Sequence, residues 1–541
     1  MSNTKIFMLF LIFVYLSCTA VRLHQYTVIL SDQQYFAQSG IILTAHDSYR
    51  WLRYASEHQK GEYYNGADKL SGVPNNIQKP PAIPLISYFM SKLSSLTGIA
   101  PERVGGFMSV IFPGLFVFPL GVFFLIAGFP SAGLGAGLLG GLSFAYLSRT
   151  SAFQIDTDML NLFFLSAGVL FCLCAERGRS LVWSALLGIT MYIFWRWYFH
   201  SGFTVIFFFM LLYALRRKEV KEILLSLVVY LIFASPFVFF RGFSGVSEFL
   251  KPDVVRFFPA EVAELHSSGV IGTFMHISPF WMLALLGLLL SLLLRRTVLY
   301  MAVFYVLGFL SFSRGVRFEM FLAPLCGAGL GVAFDIISKG RSQAMSYALV
   351  TSLCMVFLLK PFFKEVPPPV ISSSTYETIK KINEAESDSV VAALWDNGFL
   401  VQHLTGRAVF ADGASQFKQG AKIFAESLFI SDSKKAAQKL MSVSGGRPVY
   451  MLLTPDMDVK LPAIIKSAGY KAETRRVDGK TNIFFTSSDD GNMKKSVELT
   501  DTMYFRLHVI GETDIPCFNK IYSNTRFTEV YRLDEKCRLP S

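Results

Sequence analysis

Eleven apolar stretches, each long enough to cross a bilayer, fill most of the first 362 residues. They lie near 5–23, 104–127, 131–148, 158–175, 181–199, 201–215, 221–240, 279–294, 297–313, 318–337 and 343–362. Backbone groups in hydrocarbon must bond within their own segment, so such a run specifies a polytopic helical membrane protein. Composition agrees: 52% of the 541 residues are hydrophobic, 17% are charged, and 52 are Phe. The N-terminal "KIFMLFLIFVYLSCTA" has one Lys and no A-x-A site, and reads as an uncleaved first helix rather than a signal peptide.

Charge orients the spans. Arg177/Arg179, Arg216/Arg217/Lys218, Arg295/Arg296 and Lys339/Arg341 mark cytoplasmic loops. Strict alternation then fits all the spans, with the N-terminus inside and the C-terminus outside. The net charge of +12 reflects these loops. No basic stripe with interleaved aromatics points to nucleic acid.

This gives a transmembrane domain over 1–363 with two long external loops, about 24–103 and 241–278. After the stiff "KEVPPPV" the chain turns polar, and 370–541 reads as one extracytoplasmic α/β domain. In it "SVVAALW", "RPVYMLL" and "TNIFFTS" read as strands, and "KAAQKLMSV" and "LPAIIKSAGY" as helices. The seven Cys show no zinc-like spacing. An outside location would allow Cys517 and Cys537 to form a disulfide.

The carboxylates fall on one side of this topology. Asp156 and Asp158, in "FQIDTDMLN", lie in the outer turn between the third and fourth spans. Asp47, in "TAHDSYRWLRYA", lies in the first outer loop, and Glu261 and Glu264, in "FFPAEVAELHSSG", in the second. Asp396, in "VAALWDNGFL", opens the outer domain. A hard divalent cation needs several oxygen ligands, and D-x-D offers two from one turn. The plain alternative is that Asp158 caps the helix beginning at Met159.

Arg149, Arg196, Arg241, Arg314 and Arg317 also fall in or beside outer loops, where the positive-inside bias disfavours them. Snorkelling accounts for any one of them. For the set, and above all for "SRGVRF", a phosphate partner is the better reading.

Taken together, the H-D-S-Y loop, the D-T-D-M-L turn, the Glu loop, "RGVRF" and "LWDNG" resemble the catalytic subunit of oligosaccharyltransferases, most closely the single-subunit bacterial and archaeal (PglB/AglB) type. The resemblance covers nearly the whole chain. It implies a GT-C-type glycosyltransferase fold of about 11–13 transmembrane helices. It also implies transfer of a glycan from a polyprenyl-pyrophosphate carrier to the Asn of an N-x-S/T sequon, by an enzyme that can act as a single subunit in the cell membrane. Carried over by position, Asp47, Asp156 and Asp158 would bind Mn²⁺ or Mg²⁺, and Asp47 and Glu261 would hold the acceptor amide. Arg317, with Arg196 a further candidate, would face the lipid pyrophosphate, and Trp395 and Asp396 would read the sequon hydroxyl. Glu264 is the alternative to Glu261, and Met457 or Lys460, in "TPDMDVKLPAII", would supply a second contact to that hydroxyl.

The sequence departs from the family pattern W-W-D-x-G by Leu394 in place of the first Trp and Asn397 at the fourth position. A helix pair after the seventh span would restore the thirteen spans of the best-known members. Where some bacterial members carry an Arg that reads an acid two residues before the Asn, this chain offers His276 and no clear Arg, so that requirement is not predicted. Two other readings stay open. A related polyprenyl-phosphate sugar transferase would share Asp47 but has no use for W-D-x-G. A transporter would place its polar residues mid-span, and few lie there.

Overall fold

The computed structural model describes residues 3–250, 268–294, 296–337, 342–362, 366–415, 419–477, 480–487, 496–524 and 528–539. The chain forms two compact units: Met1–Ser31 with Ile83–Pro367, and Asp32–Ala82 with Pro368–Ser541.

Among the described residues the regular structure of the first unit is all helical. Every apolar stretch predicted from sequence coincides with helix, beginning with Asn3–Ser31 and ending with Gln343–Phe362. Among the described residues five helices are long and apolar enough to cross a membrane, or seven if each of two bent pairs is one span. The stretch predicted as a single span over 221–240 is one of those pairs: Val220–Ala234 and the helix that follows meet at 89°. The cause is local. Pro236 begins the second helix, and Ser235 before it sits at φ +69°, since a residue preceding proline is driven out of the α region. The helix pair anticipated after the seventh span falls on a stretch that includes residues 251–267, outside the described residues.

Small residues set the packing. "SAGLGAGLLGG" in the helix Pro130–Leu142 faces "CGAGLGVA" in Glu319–Ile337. A Cβ at Gly135 would stand 2.2 Å from Gly327 O, and one at Gly331 2.2 Å from Ser131 O. The two backbones therefore touch, as small-residue membrane interfaces permit.

The second unit is α/β. Its six-stranded sheet runs in the order Asp514–Ile515, Phe518–Ser523, Glu529–Leu533, Val449–Leu453, Val390–Ala392, Ala408–Val409. The first four strands pair antiparallel, and Val390–Ala392 is parallel to both of its neighbours. A second, antiparallel sheet joins Tyr470–Val477, Lys480–Ser487 and Ser496–Glu498. The three strands and two helices predicted from sequence all occur, and Cys517 is bonded to Cys537.

The predicted first external loop, 24–103, divides. Its start continues the first helix to Ser31, its end forms the helix Leu85–Thr97, and residues 32–82 fold into the second unit. Val73 from this loop is a buried member of the core that holds Leu394, Trp395 and Met451. The loop is shaped by its own ion pairs: buried Arg53 with buried Asp68, and Lys79 with Glu57 at 2.6 Å.

Candidate active site

In the helical unit the D-T-D turn lies between the helices Phe144–Thr150 and Asp158–Arg177. Tyr146 Oη donates to the carbonyls of Asp158 and Met159 at 3.4 and 3.3 Å, and Trp197 Nε1 donates to that of Thr157 at 2.8 Å. Behind it, fully buried Arg22 ties two helix ends together, donating to Gly141 O at 3.1 Å and to Thr150 O at 2.8 Å. Arg149 then faces both acids. Its Nη2 is 2.7 Å from Asp158 Oδ2 and 3.8 Å from Asp156 Oδ2, and Nε donates to the same Asp158 oxygen at 2.8 Å. Asn161 Nδ2 donates to the other Asp158 oxygen at 2.8 Å. The turn thus presents two carboxylates to one positive centre. The capping alternative does not describe it, since the N-cap is Thr157 and its side chain makes no cap bond.

Arg149 therefore finds an anion within the chain. Arg196 Nη2 donates to Ile83 O at 3.2 Å, and its buried Nε has no hydrogen-bond partner among the described residues. Arg317 stands two residues after Gly315, whose φ is +116°, and lies 5.7 Å from the Phe318 ring. The helix Phe144–Thr150, which carries Arg149, packs against Val316–Phe318, so the "RGVRF" and D-T-D segments share one neighbourhood.

The α/β unit carries the remaining candidates. Asp47 precedes the helix Ser48–Gln59 at its N-cap position, yet its side chain makes no cap bond, and the residue is exposed. Burial pulls the Arg50 guanidinium down, but Tyr54, Asp412 and Asp47 more than offset this and hold it above its ordinary value. Trp395 and Asp396 open the helix Trp395–Thr405. Trp395 is buried in the core, whereas Asp396 keeps about a quarter of its side chain exposed (24%) and pairs with Lys460 at 3.1 Å. Met457 is fully buried, so of these two candidates Lys460 is the one beside the acid. Buried Asn397 donates to Thr454 Oγ1 at 3.0 Å and to Asp456, which ties the helix of Asp396 to the helix of Lys460. Gly398 must be glycine, because a Cβ there would stand 2.2 Å from Ala411 O. Glu261 and Glu264 lie outside the described residues.

No family model matches the chain. In sequence it is 23% identical to the undecaprenyl-diphosphooligosaccharide–protein glycotransferase of Campylobacter jejuni, over 93% of this chain and 79% of that protein. In sequence and in fold the chain is similar to single-subunit oligosaccharyltransferases. Its fold is also that of the archaeal oligosaccharyltransferase AglB from Archaeoglobus fulgidus in complex with an inhibitory peptide and a dolichol-phosphate. The TM-score is 0.68 at 12% identity, over 96% of this chain and 79% of that one. The A. fulgidus enzyme tethered to an acceptor peptide containing the NVT sequon gives 0.67 at 13%, with the same coverage.

Among the described residues no three His, Cys, Asp or Glu side chains cluster as a metal site. Asp156 and Asp158 supply hard oxygen donors from one turn, which suits Mn²⁺ or Mg²⁺ in kind. The residues around Asp47 that sequence reading missed are Arg50 and the segment Ala411–Gly413. "FADG" gave only a turn signal.

Proposed function

We propose that this protein is an oligosaccharyltransferase, which transfers an oligosaccharide from a polyprenyl-diphosphate carrier to the side-chain amide of Asn in N-x-S/T sequons. The observation that carries the reading is that the Asp47 loop folds into the same unit as Trp395 and Asp396. The acid that would hold the reacting amide and the acid that would read the residue two places on thus share one body. A sequon requires that pairing. A sugar transferase with a lipid or hydroxyl acceptor does not.

An amide nitrogen is a poor nucleophile because its lone pair is delocalised. Asp47, with Glu261 as the second acid, would accept the two amide N–H bonds and orient the nitrogen toward the anomeric carbon. Arg317 would compensate the charge that develops on the departing diphosphate. Asp396 would accept the hydrogen bond of the Ser or Thr hydroxyl, with Trp395 against the Thr methyl. Asp47, Asp156 and Asp158 are the ligands we assign to a divalent cation. Bound there, Mn²⁺ or Mg²⁺ would supply electrostatic stabilisation of the leaving group. Without a cation Arg149 balances the charge of the D-T-D acids, and a bound cation would take over part of that role.

The sugar end of the reaction belongs on the extracytoplasmic face, with the second unit outside and the chain acting as a single subunit. The Cys517–Cys537 bond supports an oxidising compartment. Reporters fused after Lys218 and after Pro369 should read cytoplasmic and extracytoplasmic respectively. Both on one side would overturn the orientation.

The test is transfer from a lipid-linked oligosaccharide to a fluorescent peptide, in detergent. Product should form with N-x-T and not with N-x-A, stop with EDTA and return with Mn²⁺. Glycan found on a hydroxyl or a lipid, with none on Asn, would move the related sugar transferase to the front.

A further inference from the structure

Asp412 is completely buried, and its carboxylate accepts four hydrogen bonds. Ala414 N (3.0 Å) and Ser415 Oγ (2.8 Å) donate to Oδ1. Gln402 Nε2 (2.7 Å) and Ser71 Oγ donate to Oδ2. A carboxylate so saturated has no capacity left for a substrate, and a buried charge is retained only when it is satisfied in this way. What matters is where the donors come from. Ser71 belongs to the loop that carries Asp47, and Gln402 to the helix that carries Trp395 and Asp396. The joint extends into the backbone. Leu70 O accepts from Gln402 Nε2 at 3.0 Å and from Val409 N at 2.9 Å, and Val73 N donates to Val409 O at 3.1 Å.

The neighbouring residue reaches Asp47 itself. A Cβ on Gly413 would stand 3.0 Å from Asp47 Oδ1 and 2.9 Å from the Phe399 ring. On the opposite side, a Cβ on Gly398 would stand 2.6 Å from Asp412 Cβ. Ala411–Gly413 is thus wedged between Asp47 and the first turn of the Trp395 helix, with no side-chain volume spare at either contact. Arg50 adds a charge that acts on both Asp412 and Asp47.

We infer that Asp412 and Gly413 are positioning residues, which fix Asp47 at a set distance from the Trp395–Asp396 turn. The inference rests on the function proposed above. Its consequence for the reaction is a gauge: the sequon Asn and its hydroxyl lie two residues apart, and the two acids that meet them are joined through this wedge. Neither residue touches the substrate.

The test uses the full chain in detergent with Gly413→Ala and Ser71→Ala. The added methyl should displace Asp47 and lower kcat tenfold or more. KM for an N-x-T peptide should stay within about threefold, with discrimination against N-x-A retained, because the methyl meets Asp47 and the Phe399 ring rather than the Asp396 carboxylate. A protein that was merely destabilised would lose kcat and KM together with its melting temperature. Ser71→Ala removes one donor and adds no bulk, so it remains informative if Gly413→Ala folds poorly. It should speed hydrogen exchange over Ser48–Ala55 while the central strand Val449–Leu453 keeps its protection. Unchanged kcat in Gly413→Ala, or unchanged exchange over Ser48–Ala55 in Ser71→Ala, overturns the inference. Failure of the wild type to glycosylate any sequon peptide would instead defeat the functional reading, and the exchange experiment would still decide whether Asp412 holds the Asp47 helix.

Discussion

Lys460 holds Asp396 in a 3.1 Å ion pair between two helices that Asn397 ties together. The pair is partly solvated on both sides (24% each), and Asp396 keeps a second oxygen for an acceptor. If that oxygen reads the sequon hydroxyl, its loss should weaken peptide binding more than bond formation, because the hydroxyl is remote from the reacting nitrogen. A hydrogen bond to a charged group contributes about 1.5–3 kcal/mol, or roughly one to two orders of magnitude in affinity. Asp396→Ala should therefore raise KM for an N-x-T peptide by that factor and abolish most of the preference over N-x-A. Wild-type KM with full discrimination would remove Asp396 from the site.

Lys460 should matter less. A solvated ion pair contributes only about 0.2–1 kcal/mol, and Asn397 holds the two helices together without it. Lys460→Ala should raise KM by no more than about fivefold and leave discrimination against N-x-A intact. A loss as large as that of Asp396→Ala would make Lys460 a direct ligand of the hydroxyl.

The D-T-D turn gives a prediction that does not depend on turnover. Arg149 compensates Asp156 and Asp158 from 3.8 and 2.7 Å. Arg149→Ala leaves two carboxylates facing each other, so the metal-free protein should melt lower than wild type. A ligand that binds only the folded state raises its stability. Added Mn²⁺ should thus raise the melting temperature of Arg149→Ala more than that of wild type. Asp156→Ala should respond to Mn²⁺ less than wild type and should not transfer glycan. An equal Mn²⁺ response in all three proteins would argue that the turn binds no cation.

The helices were legible because long apolar runs leave the backbone no other choice, and the strands because β-branched runs such as "SVVAALW" are bounded by turn residues. Breaks inside a run were less so: Ser235–Pro236 bends a stretch whose hydropathy is continuous. Asp156, Asp158, Trp395 and Asp396 could be found because local strings carry them. Asp412 could not, since it acts through Ser71 and Gln402, and Ser71 is 341 residues away in the chain. Nor could sequence show that residues 32–82 leave the helical unit. That follows from Val73 entering a core built almost wholly from residues beyond 389, and from the bonds of Leu70 and Ser71 to Gln402, Val409 and Asp412.

The same loop supplies a pH-dependent prediction. Asp68 is completely buried, and burial alone would raise its pKa, but Arg53 more than offsets this and holds the carboxyl below its ordinary value of 3.8. The sign follows from linkage. A carboxyl with a depressed folded-state pKa contributes stability that is fully present above the unfolded value and is lost as pH falls through the folded one. Removing one partner of a buried pair typically costs about 3–5 kcal/mol, because the other charge stays buried. Here Glu57, 3.7 Å from Arg53, remains as a second anion, which puts Asp68→Ala near the lower end, at about 3 kcal/mol. Hydrogen exchange over the helix Ser48–Gln59 measures this locally, without requiring the whole chain to unfold in one step. Exchange in Asp68→Ala should exceed wild type by a constant factor between pH 7 and pH 5, after correction for intrinsic rates. Below pH 4 the two proteins should converge as the wild-type carboxyl takes up its proton. A gap that persisted or widened there would mean that Asp68 acts through packing rather than charge.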